Sequence, residues 1–215
     1  MARKSHKTKD DSRRRLFEAA LPDVAFDGWT DAVLAQAATR ARLDADDVST
    51  AFPRGATDLA QYFSLWADTR MLEKLPKPEK LASLRIRDRV ALCVRTRLEL
   101  LAPHRQALSS ALAYLAVPPR NLALPKMVWA TADAIWRICG DTSADYNHYT
   151  KRLLLSGVLS STTLYWLNDK SAGSEKTWEF LARRIDDVMK VGGAIGKIKA
   201  KGEVLKARAA LRRKK

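Results

Sequence analysis

Apolar residues recur at three- and four-residue steps along most of the chain, and no stretch alternates apolar with polar positions. That spacing puts apolar side chains on one side of successive helices, so the pattern alone predicts an all-α protein. Residues 1–12 are polar and basic and are expected to be disordered. Leu16, Ala19, Ala20 and Val24 predict a first helix over Ser12 to Ala25, which Pro22 would kink or end early. Asp27-Gly28 reads as a turn. Thr30 is a natural N-cap for a second helix, with Trp29 before it as a staple, and Asp44 caps a short third helix that Pro53 ends.

The later pattern is longer in period. Leu59, Tyr62, Phe63, Trp66 and Met71 predict a helix over Thr57 to Leu75. Pro78 opens the next, expected to run unbroken to Leu101, with Arg85, Arg87, Arg89, Arg95 and Arg97 as a solvated, ion-paired face. Pro103 suits the first turn of a helix holding Leu108, Leu112 and Leu115, which stops before Pro118-Pro119. A last helix follows Ser174, with Trp178, Leu181, Ile185, Val188 and Met189 in phase.

Between these lies Trp129 to Arg152, around which the chain is organised. Trp129, Ala132, Ile135, Trp136 and Cys139 share a helix face, and Gly140 stops that helix because it takes the left-handed conformation without a Cβ clash. Asp141 or Thr142 restarts the chain as an N-cap. The corner gathers Asp141, Asp145, Tyr146, Asn147, His148 and Tyr149, more polar and aromatic groups than a plain turn requires, although capping alone is one reading of them. Beyond it, Ser156, Gly157, Ser160, Ser161, Thr162 and Thr163 place small residues in an otherwise apolar helix. Small side chains either admit a neighbouring helix closely or leave room for a ligand. With wide aromatics beside them, the second reading makes Trp129, Ala132, Ile135, Trp136, Gly157, Ser160, Ser161, Leu164 and Tyr165 candidate walls of an apolar ligand pocket.

Charge changes the picture only once it is located. The net charge is +15, but residues 1–15 carry seven Lys/Arg against two Asp, and residues 190–215 carry ten against one Glu. The body between is nearly neutral, so the basicity belongs to the ends. The segment 191–215 reads as a basic amphipathic helix. Ile195, Ile198 and Leu205 form its thin apolar stripe, and Lys199, Lys201, Lys206 and Arg208 are its cations. Such a segment suits an anionic membrane surface, with a solubilising tail or unspecific nucleic-acid adhesion as alternatives.

Catalytic chemistry finds no support. The three histidines, His6, His104 and His148, lie outside metal-ligand spacing, and no phosphate loop follows a strand. Cys93 and Cys139 lie in apolar helical stretches and read as buried thiols rather than a disulfide. No enzyme activity, cofactor or metal is expected. The N-terminus lacks the apolar region of a secretory signal and is short for a mitochondrial presequence, which points to a bacterial cytoplasmic protein, peripheral on the inner membrane.

Three short opening helices and a longer fourth resemble the helix-turn-helix front of TetR-type regulators. The would-be reading helix carries Asp44, Asp46 and Asp47 and no Lys or Arg, whereas DNA contact needs cations against phosphate. The expected organisation is a tail over 1–12, a helix-turn-helix-like segment over 13–55, a larger helical bundle over 56–190, to which the family resemblance given next assigns lipid binding and dimerisation, and the basic tail over 191–215. No nucleic acid is expected as partner; a regulator with an apolar effector is the alternative.

The blocks TADAIW, GDTSADYNHYTKR, LYWLNDKS and WEFLARRIDDVM, in this order, resemble the ubiquinone (coenzyme Q) biosynthesis accessory family, the ninth Coq protein. The resemblance runs from about Leu16 to Met189. It implies a TetR-like all-α fold, a homodimer and a non-catalytic protein. It also implies that the protein binds isoprenoid quinone-type lipids and presents them to the di-iron hydroxylase of ubiquinone biosynthesis. By motif position it implies a partner surface at Asp145, Asn147, His148, Tyr149 and Arg152. The family commonly has Trp where this chain has His148, which lessens the apolar contact area there.

Overall fold

Helix α1 runs Ala2–Ala20 in the computed structural model, which describes residues 2–143 and 146–190. The lead over 1–12, expected to be disordered, is therefore helical from Ala2, well before Ser12. Arg14 pairs with Asp11 at 2.6 Å and Glu18 at 3.3 Å, three- and four-residue spacings that support the helix. The helix stops at Ala20 rather than Ala25, since Pro22 has no N–H and disfavours helical geometry at Leu21. A turn follows, closed by Leu21 N–H to Phe17 O at 2.9 Å and Asp27 N–H to Asp23 O at 2.8 Å.

Helix α2 is Asp31–Ala41, capped by Thr30, whose Oγ1 accepts from Val33 N at 3.2 Å. Helix α3 is Ala45–Ala51, capped by Asp44. Helix α4, Ala56–Lys74, is capped from a distance: Asp31 accepts from Ala56 N at 2.8 Å. Gly55 stands at φ +55 beside that carboxylate, and any Cβ there would overlap it. Three helices then converge on α4 through aromatic rings. Phe17 lies 5.4–5.6 Å from Tyr62, Phe63 and Trp66, Phe52 lies 5.7 Å from Tyr62, and Trp29 lies 5.6 Å from Phe63. One continuous apolar core runs from Leu16 to Ile185, with no break in packing at residue 55.

The helix expected over 78–101 is two. Helix α5 is Pro78–Ala82 and α6 is Ile86–Leu101. Ser83 Oγ bonds back to Lys80 O at 2.8 Å, a local bond that competes with the helical ladder. Arg89 then donates to Leu84 O at 2.8 Å and to Cys139 O at 2.9 Å, tying the break to a later helix. The arginine face divides accordingly. Arg85, Arg87 and Arg95 pair with Asp88, Asp186 and Glu99 at the surface, but Arg97 is buried.

After a turn at Ala102–His104, α7 spans Arg105–Ala116, and the Pro118-Pro119 bond is cis. Helix α8 is Ala123–Ile138 and α9 is Tyr146–Asn168; α10 covers 175–190. Gly140 ends α8 at φ +87, with Asp141 N–H bonded to Trp136 O at 3.0 Å, the left-handed stop the sequence calls for. Cys93 and Cys139 are buried and unbridged. Among the described residues there is no strand, and no helix is long and apolar enough to cross a membrane.

Candidate functional site

Five helices leave a space between them. The cavity holds about 340 Å³, within the ~300–1,000 Å³ range of small-molecule sites. From α4 come Ala60, Phe63, Ser64 and Ala67; from α6, Arg97 and Leu101; from α7, Leu108, Ala111, Leu112, Leu115 and Ala116; from α8, Leu124, Met127, Val128 and Thr131; from α9, Leu159, Ser160, Thr163 and Leu164. The small residues explain the space. Ala60, Ala67 and Ala111 on one side and Ser160 and Thr163 on the other keep the helices from filling it with side chains. The lining is almost wholly apolar, as a lipid chain requires.

Apart from the hydroxyls of Ser160 and Thr163, one charged cluster interrupts that lining. Arg97 Nε donates to Asp68 Oδ1 at 2.7 Å and Nη2 to Ser64 Oγ at 2.9 Å, while Thr131 Oγ1 donates to Asp68 Oδ2 at 2.8 Å. The Asp68 and Arg97 side chains are each only 9% exposed. The cluster joins α4, α6 and α8 at the inner wall. Sequence reasoning assigned Arg97 to a solvated face, yet a signal was present. Arg97 lies in phase with Val90, Val94 and Leu101, all buried.

The corner between α8 and α9 is built on a second buried pair. Arg152, whose side chain is 2% exposed, bonds Asp133 at 2.6 Å and Asp141 at 3.0 Å. Lys151 Nζ reaches Asp141 at 2.6 Å, and Ser143 Oγ donates to the same carboxylate. Burial pushes the Asp141 carboxyl upward, but the bonds from Lys151, Ser143 and Arg152 outweigh it and hold the group well below the usual carboxylate range. Outside this clamp the surface is aromatic. Tyr149 is 62% exposed, with its ring 6.2 Å from Trp129 and 5.2 Å from His148. Leu153, one turn on, is 66% exposed. The exposed Tyr149 ring, flanked by half-buried Trp129 and His148 and followed by exposed Leu153, makes an apolar patch at the surface.

The expected pocket residues are mostly elsewhere. Ser160 and Leu164 do line the cavity. Ala132 and Ile135 are buried in the core, and the cavity takes Leu124, Met127, Val128 and Thr131 from α8; Ile135 shares the face of Leu124, Val128 and Thr131 but lies about one turn beyond Thr131, and Ala132 is rotated about a quarter-turn from that face. Trp136 donates its Nε1 to Lys151 O at 3.0 Å and packs toward Val90, Leu155 and Ile185, so it cements α8, α9 and α10. Trp129 sits at the surface with Tyr149, and Tyr165 stacks on Phe180 at 4.5 Å. Gly157 is exposed, with its carbonyl accepting from Ser161 Oγ at 2.7 Å.

Among the expected partner residues, His148 and Tyr149 share the aromatic patch, Asn147 is exposed, and Asp145 lies outside the described residues. Arg152 is a correction. It points inward, because two aspartates on the preceding helix and corner neutralise it there. The expected membrane residues Ile195, Ile198, Lys199, Lys201, Leu205, Lys206 and Arg208 all lie outside the described residues. Among the described residues, no group of three His, Cys, Asp or Glu could hold a metal ion.

The comparisons with known proteins bear on this half of the chain first. The family model that matches is COQ9, over residues 122–192, which takes in α8, the corner, α9 and α10. Curated relatives extend the match toward the N-terminus. The human ubiquinone biosynthesis protein COQ9, mitochondrial, is 29% identical over 210 residues, covering 93% of this chain and 64% of that protein. The rat protein of the same name is 30% identical, covering 93% and 66%. The chain belongs to the COQ9 family. It spans slightly less than two thirds of the length of these mammalian COQ9 relatives.

Family membership corrects the expected location. Relatives from human, rat, cattle, Drosophila melanogaster and Dictyostelium discoideum are named as mitochondrial, which overturns the bacterial cytoplasm inferred from the N-terminal residues. A short basic lead carries no compartment-specific chemistry, so it was weak ground for that inference. The COQ9 relatives are named for a biosynthetic pathway rather than for a reaction. The fold has a solved counterpart in a TetR transcriptional regulator from Nitrosomonas europaea. That likeness has TM-score 0.64 and 20% identity, and covers 82% of this chain and 97% of that one. The architecture is TetR-like; at that identity the likeness concerns the fold alone.

Proposed function

We propose that this COQ9-family chain serves ubiquinone biosynthesis as a non-catalytic lipid-binding accessory protein. It would hold a polyprenylated intermediate and present it to the di-iron hydroxylase. The observation that carries this reading is the apolar cavity of about 340 Å³ between α4, α6, α7, α8 and α9. A lipid chain in it would exchange water for apolar walls, at about 25 cal/mol per Å² of surface removed from water. The segment 191–215 would hold the cavity near an anionic membrane surface. The TetR-like fold does not favour DNA reading here, since α3 and its cap carry Asp44, Asp46 and Asp47 without a Lys or Arg.

Native mass spectrometry of the purified chain, with extraction and identification of bound lipid, tests the cavity. Long isoprenoid lipids in a fixed ratio to protein are the expected result. A protein that remains free of lipid after incubation with a polyprenyl phenol would sink the reading.

The hydroxylase would dock on the exposed Tyr149 and Leu153, backed by half-buried Trp129, with His148 and Asn147 at the patch's edge. Tyr149→Ala should weaken association with the hydroxylase by roughly tenfold or more, as for a central aromatic anchor. Its 62% exposure means the fold and lipid content should not change. Unaltered association, measured by biolayer interferometry against the purified hydroxylase, would remove Tyr149 from the interface.

A further inference from the structure

The cluster of buried Asp68, Arg97 and Thr131 with half-buried Ser64 does more than tie helices together. Three of its members, Ser64, Arg97 and Thr131, form part of the cavity wall. The wall residues most open to solvent are Ala116, Ser160 and Leu164, while Ser64 is half-buried and Arg97 and Thr131 are buried, so the charged group stands away from the open Ser160–Leu164 rim. A guanidinium facing an apolar cavity is costly unless its donors find acceptors. Two of its nitrogens do: Nε bonds Asp68 and Nη2 bonds Ser64. Among the described residues, Nη1 makes no such bond. The guanidinium does not escape by losing its proton, because it stays charged in proteins.

Charge bookkeeping narrows what can satisfy it. Asp68 already neutralises Arg97 at 2.7 Å and also accepts from Thr131 at 2.8 Å. The cluster therefore sums to zero while still presenting donors, the Arg97 Nη1 hydrogens and the Ser64 hydroxyl hydrogen. A carboxylate or phosphate brought here would add a buried negative charge with no spare cation to meet it. A plain hydrocarbon would leave the donors facing apolar atoms. A neutral oxygen acceptor meets the donors without adding charge.

We propose that this cluster selects the ligand's head group. The cavity takes a single-chain amphiphile whose head is a neutral carbonyl or ether oxygen, bound head-inward against Arg97 and Ser64, with the chain running out past Leu164. The proposal rests on reading the cavity as a lipid site and adds the class and direction of the ligand.

The test uses the full chain, freed of lipid, and three probes of equal length: undecane, 2-undecanone and undecanoate. Binding is followed by tryptophan fluorescence at about pH 8, where the carboxylate is ionised. The ketone should bind roughly tenfold more tightly than the alkane, the worth of one hydrogen bond to a charged donor, and undecanoate should bind more weakly than the ketone. Replacing the pair together, Asp68→Leu with Arg97→Met, should bring ketone and alkane within about twofold while alkane binding persists. Ser64→Ala, a small change that threatens the fold little, should reduce the ketone's advantage by about threefold and decides the matter if the double variant does not fold.

Undecanoate binding most tightly, or a ketone advantage that survives in the variants or is absent from the wild type, would overturn the head-group assignment and leave the lipid reading intact. If none of the three binds, the lipid reading falls and this inference falls with it.

Discussion

Arg152→Leu is expected to destabilise the protein by about 3–5 kcal/mol, the cost of leaving buried carboxylates without their cation. For a chain of this size that lowers the thermal midpoint by roughly 10 °C. Arg152 is the shared partner of Asp133 at 2.6 Å and Asp141 at 3.0 Å, and the side chains of Arg152 and Asp141 are only 2% and 3% exposed. A leucine fills much of the space but answers neither charge. Had Arg152 been part of a partner surface, the same substitution would leave stability unchanged and weaken association instead. Urea and thermal unfolding of the purified variant separate the two outcomes. A shift below about 1 kcal/mol, the range of an exposed ion pair, would show that the clamp is not buried in solution.

The clamp also sets a pH dependence. In the folded protein the Asp141 carboxyl lies below its ordinary value of 3.8. A depressed carboxylate contributes stability that is fully present above the unfolded value and is lost as pH falls through the folded one. The wild type should therefore lose stability as pH falls below about 4, and the Arg152→Leu variant should lose less over that interval, since part of what depresses Asp141 is already gone.

Ala111→Phe is expected to abolish lipid retention, with at least a tenfold fall in bound lipid per protein, while unfolding cooperativity is kept. Ala111 is 3% exposed and its side chain borders the cavity from α7. A phenyl ring there projects into space that is otherwise vacant, so it competes with the lipid chain rather than with packed atoms. Filling a void restores dispersion contacts that its lining lacks, whereas overpacking a full core costs about 1–3 kcal/mol. Lipid extraction and thermal unfolding of the same sample read both consequences. Undiminished lipid in the variant would mean the chain binds lipid somewhere else. A strong fall in stability would mean that the space is not open in solution.

Most helices, and the boundaries set by caps, prolines and glycines, were legible because they are written in local chemistry. Thr30 and Asp44 as caps, Pro22, Pro53 and Pro118 as stops, and Gly140 at φ +87 each act within a few residues of where they stand. The all-α class, the helix-turn-helix-like opening and the α8–α9 corner followed from these signals and from the three- and four-residue period. Family likeness was legible too, carried by the blocks around that corner, where the COQ9 model matches. The break between α5 and α6 escaped because it is held from afar, by Arg89 reaching the Cys139 carbonyl.

What escaped most was which side of a helix faces what. A three- and four-residue period says that α8 has an apolar side. It does not say that Ala132 and Ile135 will meet other helices while Met127 and Val128, about a turn or two earlier on the same helix, border open space. Vacancy is a property of several helices at once, set by where Ala60, Ala67, Ala111 and Thr163 happen to coincide. Charge behaves in the same way. Arg152 and Arg97 read as surface residues on their own, and became interior ones only because Asp133, Asp141 and Asp68, distant in the chain, arrive within 3.0 Å of them. The sequence by itself determined the all-α class, most of the helix caps and stops, and the family. The tertiary structure alone decided the cavity and the two buried ion pairs, because both depend on distances between segments that no local period records.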